Sequence, residues 1–308
     1  MKHLIDIEKL NKDEIFDIIK MAKGFKSQTI ISEVKGKTVS LMFCENSTRT
    51  KCSFEIAAKK LGMNVINFDT ANSSLTKGES LKDTIENLYF IGVNTVVVRH
   101  NLSGIIDNTL QQVKYPMHFI NAGDGNRAHP TQALLDFYTM SEKLGSIDGK
   151  KVAIVGDIKH SRVAKSNIAL LSKFNVQINA CAPSYFRPEE CKKYPVQWYS
   201  DVKKAIKDCD VVMVLRVQNE RHLNGLYPNS FEYKRKFEID SNILKKYANK
   251  DAILMHPGPA NRNVEVSSEL LDDKVGETIL EQAQNGVFVR MAVLNKILSD
   301  NKEVNYAS

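Results

Sequence analysis

Short runs of β-branched residues alternate with longer amphipathic stretches along this chain, and this alternation limits the fold more than any other feature. Strands followed by helical stretches are typical of βαβ units, which build parallel sheets. The pattern therefore predicts an α/β protein with two doubly wound parallel-sheet domains. The predicted strands are Thr38–Phe43, Asn64–Asp69, Thr95–Arg99, Met117–Asn121, Lys151–Gly156, Gln177–Ala182, Val211–Val217 and Ala252–Met255.

Helices are predicted between these strands, and the length of 308 residues fits two domains. A helical stretch ends in glycine near Leu144–Lys150, where a Gly-Lys pair introduces the next strand. We therefore expect a first domain over residues 1–145 and a second over residues 146–296. The predicted helices are Thr50–Leu61, Ser80–Ile91, Ser161–Phe174, Asp201–Lys207, Ser241–Ala248 and a last one at about Thr278–Leu298.

Composition excludes several classes of protein. The five cysteines are an odd number without a CxxC pair, which argues against a disulfide framework or a zinc site. No apolar stretch reaches the roughly 18 residues that span a bilayer, and the N-terminus lacks the apolar core of a signal peptide, so we expect a cytoplasmic protein that does not bind membranes.

The net charge of +7 suits nucleic acid or small anions. Because the densest basic cluster, Lys234–Lys236, is short and flanked by acids, we expect small anionic substrates and no nucleic acid.

The loop Ser47-Thr48-Arg49-Thr50 lies between a predicted strand and a predicted helix. One hydroxyl is enough to cap a helix, whereas this loop supplies three together with an arginine. The start of a helix attracts anions, and the arginine fork matches phosphate geometry. Taken alone, the loop is either an ordinary capped helix with a surface arginine or a phosphate site.

Other loops of the first half offer similar groups where predicted strands end, which is where ligands bind in parallel sheets. Ser74 and Lys77 supply a donor and a point charge, and Arg99 follows a buried strand directly. His129 and Gln132 lie close enough in sequence to reach one ligand. Each residue alone has an ordinary structural explanation, but their shared position at strand ends favours a binding site.

In the second half, Arg162 begins a predicted helix, as a residue that recognises a carboxylate would. Arg216 and Gln218 are predicted to lie on the same side of an extended strand. The turn Pro257-Gly258-Pro259 follows another strand, and its carbonyl groups can accept hydrogen bonds. The turn after Val155 has only Gly156 where a dinucleotide fingerprint needs three glycines, so NAD binding is not expected.

Taken in order, these segments closely resemble the aspartate/ornithine carbamoyltransferase family. The segments are STRT, SSLTKGES, VRH, HPTQ, GDIKHSRVAKS, LRVQNER, HPGPANR and QAQNGVFVRMAVL. They cover the chain from end to end and are highly specific as an ordered set. The resemblance implies a carbamoyl-phosphate domain, an amino-acid domain, an active site in the cleft between them, and a last helix that returns to the first domain. It also implies a homotrimer with active sites shared between subunits, no cofactor and no metal, and it leaves a regulatory chain or higher assembly open.

The resemblance assigns roles to individual residues. It implies that Ser74 and Lys77 come from a neighbouring subunit. The expected catalytic residues are Arg49, Thr50, Lys77, Arg99 and His129. Carbamoyl phosphate is expected to contact Ser47, Thr48, Arg49, Thr50, Ser74, Arg99, His129, Gln132, Pro257, Gly258 and Pro259. Aspartate is expected to contact Lys77, Arg162, Arg216 and Gln218.

Aspartate is the expected acceptor because Arg162 and Arg216 suit a dicarboxylate and would repel the cationic end of ornithine. The sequence also has His256-Pro257-Gly258-Pro259 in place of the His-Cys-Leu-Pro turn of ornithine enzymes, and it lacks their Ser-Met-Gly loop.

The amino group of aspartate is expected to attack the carbamoyl carbon directly, in an early step of pyrimidine biosynthesis. Glu45, Glu220 and Arg221 are candidates for ion pairs that stabilise a closed state. A transferase acting on ornithine, a nucleotide-dependent oxidoreductase and a non-enzymatic anion-binding protein are the alternatives.

Overall fold

The computed structural model describes residues 1–69, 73, 78–217 and 230–299. Its strands are β1 (Thr38–Phe43), β2 (Asn64–Phe68), β3 (Thr95–His100), β4 (His118–Asp124), β5 (Lys151–Val155), β6 (Gln177–Cys181), β7 (Val196–Tyr199), β8 (Val211–Val214) and β9 (Ile253–Met255). Its helices are α1 (Lys12–Lys26), α2 (Thr48–Lys60), α3 (Leu81–Phe90), α4 (Ile105–Gln112), α5 (Pro130–Leu144), α6 (Arg162–Leu171), α7 (Val202–Ala205), α8 (Ser230–Phe237), α9 (Ser241–Tyr247), α10 (Ser268–Asp272) and α11 (Glu277–Leu298). Short 3-10 helices lie at Ile7–Lys9, Ser184–Phe186, Glu189–Lys193 and Lys274–Gly276.

The strands form two sheets, ordered β2-β1-β3-β4 and β7-β6-β5-β8-β9. Every strand pair in both sheets is parallel. Parallel neighbours need crossover connections, and helices supply them. The prediction of two parallel α/β domains is therefore confirmed.

The chain packs as two compact units, one comprising Met1–Leu135 and Gln284–Ser308, the other Asp136–Ala283. Both divisions fall inside helices, one within α5 and one within α11. Most of the last helix, from Gln284 to Leu298, thus groups with the first unit, as the resemblance implied. No helix in the described part of the chain has the length and apolar character that crossing a bilayer requires.

The core of the first unit forms around the two central strands. β1 and β3 are buried along nearly their whole length. Met42, Val96 and Val98 lie in one apolar cluster with Ile85 and Leu88 of α3. Helix α1 begins with a capping box between Asn11 and Glu14, and α3 begins with the Ser80 hydroxyl accepting from the Asp83 N–H. Among the described residues of α11, Arg290 places its guanidinium over the ring of Phe54 in α2, at 5.1 Å.

The core of the second unit forms around β5 and β8, whose residues are almost all buried. At the end of β5, Gly156 has φ +127°, and a Cβ there would lie 3.0 Å from the Tyr233 hydroxyl and 3.2 Å from the Leu215 carbonyl oxygen. Only glycine tolerates this backbone conformation and this close approach. The glycine that resembled a nucleotide fingerprint is therefore explained by packing.

The structure corrects two details of the strands predicted in the second unit. Strand β7 was not predicted. It has only four residues, and none of them is fully buried, so its apolar pattern is weak. Strand β8 ends at Val214 rather than at Val217, since its neighbours β5 and β9 stop at Val155 and Met255. Arg216 therefore lies just after β8 and not within it. That Arg216 and Gln218 lie on one side stays a prediction, because Gln218 lies outside the described residues.

Candidate active site

Helix α2 starts without the side-chain cap that its sequence offers. Ser47 is the N-cap residue, but its hydroxyl makes no capping hydrogen bond, and the first turn contains no acidic residue. Instead that turn carries Arg49, whose side chain is exposed. A cation beside the positive end of a helix is unfavourable unless an anion binds there. This geometry fits an anion site rather than an ordinary capped helix.

Arg99 lies where the carboxyl ends of three neighbouring strands meet. It is paired in register with Phe43 at the end of β1, and the Cys44 N–H donates to its carbonyl oxygen at 2.8 Å. Its Nε lies 2.7 Å from Glu45 Oε1, and its Nη1 lies 3.4 Å from the Ala122 carbonyl oxygen in β4. The guanidinium is therefore held at the edge of the sheet by the chain segments on both sides of β3.

His129 and Gln132 lie at the start of α5, which follows β4. The His129 carbonyl accepts from the N–H groups of Gln132 and Ala133, at 3.0 and 3.3 Å, so His129 occupies the N-cap position. Pro130 takes the first helical position, where proline is favoured. His129 is 3% exposed and Gln132 8%, so both side chains are held firmly by their surroundings.

The loop that carries His129 is held by a buried carboxylate that sequence reasoning missed. Asp124 is fully buried, and its oxygens accept from Gly104 N at 2.9 Å, Asn121 Nδ2 at 3.0 Å, Ala128 N at 3.2 Å and Arg127 Nε at 2.9 Å. Burial opposes the charged form of Arg127, but the nearby carboxylates of Asp124 and Asp6 raise its pKa. The signal in the sequence was an aspartate at a strand end followed three residues later by an arginine.

His100 follows Arg99 and is a neutral neighbour of the site. Burial lowers the pKa of His100, although Glu45 and Asp124 act in the opposite direction. Its Nδ1 accepts from the Leu102 N–H at 3.0 Å, which requires an unprotonated nitrogen. The fixed positive charge at this sheet edge therefore comes from arginine and not from His100.

In the second unit, Arg162 opens α6 directly after the β5 loop. The Ser161 hydroxyl caps this helix by accepting from the Ala164 N–H at 3.1 Å, and Arg162 itself is 5% exposed. In the same loop, His160 Nδ1 lies 2.9 Å from the carboxylate of Asp157, which is fully buried. The β5 loop therefore presents a buried arginine on a well-anchored helix start.

Arg216 and the Pro257-Gly258-Pro259 turn follow β8 and β9, which continue the sheet beyond β5 in the order β5-β8-β9. Arg216 is partly buried, and Val217 beside it accepts from Asn261 Nδ2 at 3.3 Å. The backbone N–H of Gly258 donates to His256 Nδ1 at 2.8 Å. The second unit thus gathers Arg162, Arg216 and the turn at the carboxyl edge of its own sheet.

The structure therefore brings the described candidates together in two groups, each within one unit. Ser47, Thr48, Arg49, Thr50, Arg99, His129 and Gln132 lie at one sheet edge of the first unit, and Arg162, Arg216, Pro257, Gly258 and Pro259 at one sheet edge of the second. Ser74, Lys77, Gln218, Glu220 and Arg221 lie outside the described residues. Within the described ranges, histidine, cysteine and carboxylate side chains form no group that could hold a metal ion.

These features define a class: a two-unit parallel α/β protein whose strand-end loops are built to bind small anions. Comparison with known proteins makes the class specific. Residues 2–142 match the family described as aspartate/ornithine carbamoyltransferase, carbamoyl-P binding domain, and residues 148–297 match its Asp/Orn binding domain.

Individual relatives agree with these family matches. The chain is 43% identical to the aspartate carbamoyltransferase catalytic subunit of Aliarcobacter butzleri over 98% of this chain and 100% of the relative. It is 44% identical to that of Acetivibrio thermocellus, over 95% and 94%. Aspartate transcarbamoylase from Trypanosoma cruzi, solved with carbamoyl phosphate and aspartate, superposes with a TM-score of 0.87 at 30% identity, covering 97% of both chains. The catalytic subunit from M. jannaschii gives a TM-score of 0.83 at 35% identity, covering 98% of this chain and 99% of that one. The chain belongs to the aspartate/ornithine carbamoyltransferase family.

Proposed function

We propose that this chain transfers the carbamoyl group of carbamoyl phosphate to the α-amino group of L-aspartate, yielding N-carbamoyl-L-aspartate and phosphate in pyrimidine biosynthesis. The observation that carries the donor half of this proposal is the start of α2, with its unused Ser47 hydroxyl, its lack of acids and its Arg49. The T. cruzi relative was solved with both substrates, which supports the same pair here.

The first unit supplies the donor-binding groups in this proposal. Ser47, Thr48, Arg49 and Thr50 bind the phosphate, together with Arg99, whose guanidinium Glu45 holds in place before any ligand arrives. Ser74 and Lys77, from a neighbouring subunit, complete the phosphate contacts. Gln132 and the turn Pro257-Gly258-Pro259 orient the carbamoyl amide. Because these groups are oriented before the substrates bind, less entropy has to be lost on the way to the transition state.

The chemical step needs no covalent enzyme intermediate. The amino group of aspartate attacks the carbamoyl carbon, and negative charge develops on the carbonyl oxygen. Arg49, Thr50 and His129 stabilise that charge by donating hydrogen bonds that strengthen in the transition state. The phosphate leaves and takes the amine proton, so a serine or cysteine nucleophile is not required.

The acceptor is held in the second unit. Arg162 and Arg216, with Lys77 and Gln218, bind the two carboxylates of aspartate. Arg162 is 5% exposed at the start of α6, and its planar guanidinium fork matches the geometry of a carboxylate. Ornithine would bring a cation to these arginines, and repulsion would exclude it.

We further propose that the protein works in the cytoplasm as a homotrimer with shared active sites. A site that needs Ser74 and Lys77 from a neighbouring copy is incomplete in a single chain. The closed ring of a heterologous interface gives every subunit one complete site.

Replacing His129 distinguishes an enzyme from a protein that merely binds phosphorylated anions. We expect His129→Ala to lower kcat by about 100- to 1,000-fold, because one donor to the developing oxyanion is lost. Phosphate binding, measured by calorimetry, should persist. The matched control is His118→Ala, at the amino end of the same β4–α5 segment, which should leave turnover unchanged. Unchanged turnover in His129→Ala would contradict the proposed role.

A further inference from the structure

Two ionisable side chains are buried together behind the turn that follows β9. His256 is 2% exposed and Glu265 is fully buried, and His256 Nε2 lies 3.5 Å from Glu265 Oε1. Burying both groups costs free energy unless each has a partner. None of the roles assigned above uses either side chain, so the pair needs an explanation of its own.

The hydrogen bonds around His256 define its protonation. The Gly258 N–H donates to His256 Nδ1 at 2.8 Å, so this nitrogen has a free electron pair and carries no proton. The ring therefore carries its proton on Nε2, which faces Glu265. Glu265 Oε1 also accepts from the Asn261 N–H at 2.6 Å. His256 and Glu265 thus accept hydrogen bonds from two backbone N–H groups of this segment, those of Gly258 and Asn261.

Further contacts hold the turn from both sides. The His256 N–H donates to Gln282 Oε1 at 3.1 Å, and Gln282 Nε2 donates to Asp136 Oδ1 at 2.6 Å. The Ile239 N–H donates to the Glu265 carbonyl oxygen at 3.0 Å. Gln282 and Asp136 contribute buried side chains to these bonds, and buried hydrogen-bonded side chains specify one geometry strongly.

Asn261 connects the turn to the segment that carries Arg216. Its Nδ2 donates to the Val217 carbonyl oxygen at 3.3 Å, while its backbone N–H is bound by Glu265. Within the described residues, no hydrogen bond ends on the carbonyl oxygens of Pro257 or Gly258. The N–H groups of Gly258 and Asn261 are thus bonded within the protein, and the carbonyl groups of Pro257 and Gly258 are left available for a ligand.

We infer that Glu265 and His256 are positioning residues for the reaction. They hold the Pro257 and Gly258 carbonyl groups in place for the carbamoyl amide and, through Asn261, keep this turn in register with the Arg216 segment. The inference rests on the proposed function, because it is that function which gives the turn its ligand. The structural signature of this positioning role is a His256 ring that carries its proton on Nε2.

Paired substitutions test the inference. In His256→Asn, the amide oxygen can take the place of Nδ1 and accept from the Gly258 N–H, so most of the turnover should remain. His256→Gln moves the acceptor away from that place, and a misplaced turn should lower kcat by about 100-fold. Likewise, Glu265→Gln keeps an oxygen for the Asn261 N–H and should recover most of the turnover that Glu265→Ala loses.

The control is Asn179→Ala, which removes an equally buried hydrogen bond in the same unit, from Asn179 Nδ2 to the Ala205 carbonyl oxygen at 2.7 Å. It should lower thermal stability without changing kcat. Equal losses of turnover in both His256 variants, or an equal loss in Asn179→Ala, would overturn the inference. If Glu265→Ala does not fold, the His256 pair decides.

A spectroscopic measurement separates this inference from the proposed function. Protein labelled with ¹⁵N-histidine is studied by NMR, and the His256 resonances are identified because they are missing from the spectrum of His256→Asn. They should show an unprotonated Nδ1 and a protonated Nε2. A proton on Nδ1 would overturn the inference even in an active enzyme. Absence of carbamoyl transfer in the unmodified protein would instead refute the proposed function, and the NMR result would still be readable.

Discussion

At the scale of single residues, Arg99 shows how this fold prepares a charge before a ligand arrives. Its side chain is 14% exposed, so it has lost most of its hydration. Glu45 and the Ala122 carbonyl group replace part of that hydration and set the direction of the guanidinium. A group that is already oriented need not reorganise when negative charge binds, which is the main source of electrostatic stabilisation in active sites.

His3 gives a prediction about stability and pH. Burial, together with Lys2, His118 and Lys9, lowers the pKa of His3 from 6.5 to about 4, and its Nδ1 accepts from the Phe119 N–H at 3.3 Å. Between these two pH values the unfolded chain binds a proton at this position that the folded chain does not. The free energy of unfolding should therefore fall as the pH is lowered from 6.5 to about 4.

The variant His3→Asn isolates this effect, since asparagine keeps an acceptor and does not titrate. Urea unfolding of both proteins across this pH range should show the unmodified protein losing its advantage as the pH falls. Other titrating groups cancel in the difference. Parallel curves for the two proteins would show that His3 does not carry the effect.

At the scale of elements, two helix starts look alike in sequence and differ in structure. Ser161 caps α6 through its hydroxyl, whereas Ser47 at the start of α2 makes no capping bond. Sequence alone left open whether the hydroxyls at the start of α2 cap the helix or bind a ligand, and it assigned no cap to Ser161. Only the backbone of the preceding loop decides whether a hydroxyl reaches its own helix.

This difference predicts opposite results for one substitution. Ser161→Ala should destabilise the protein by about 1 kcal/mol through loss of the cap. Ser47→Ala should change stability by no more than about 0.5 kcal/mol but weaken phosphate binding. Thermal unfolding and phosphate titration of both variants measure this. Equal destabilisation by the two substitutions would mean that Ser47 is a structural cap after all.

The elements that sequence predicted well are those with a strong apolar pattern. β1 has the predicted bounds, and all its residues after Thr38 are buried. The order of strands and helices follows from the alternation of the two periods. Sequence could not predict that β4 extends through Ala122 and Gly123 to Asp124. Those residues have little intrinsic strand preference, and the ladder resumes only after a register shift, where Asp124 pairs with His100 in β3.

The candidate site was predicted residue by residue, but not the groups that hold it. Arg99, His129 and Arg162 stand out as charged or polar residues at strand ends. Asp124 and Glu265 are visible in the sequence only as ordinary acids, and their importance depends on burial. Burial of an acid is a property of the folded chain, because it follows from which backbone N–H groups converge on the carboxylate.

At the scale of the whole molecule, the net charge of +7 suits substrates that are both anions. A positive surface raises the local concentration of anionic ligands and speeds their association. The two units have separate tasks in the proposed reaction, since one carries the donor-binding residues and the other most of the acceptor-binding residues. The proposed trimer adds Ser74 and Lys77 of a neighbouring subunit to each site.

Shared sites predict complementation between two inactive variants. Lys77→Ala and His129→Ala each inactivate, but in mixed trimers some sites receive His129 from one chain and Lys77 from the other. After dissociation and random reassembly of equal amounts, about one quarter of the sites should be intact. Mock reassembly of unmodified protein is the control. No recovery of activity in the mixture would show that each chain builds its own site.

The most direct test of the account is product analysis with the purified protein. Carbamoyl phosphate labelled with ¹³C is supplied with aspartate or with ornithine, and the products are identified by NMR. We expect N-carbamoyl-L-aspartate and phosphate in equal amounts with aspartate, and no carbamoylated product with ornithine. Carbamoylation of ornithine without carbamoylation of aspartate would contradict the account.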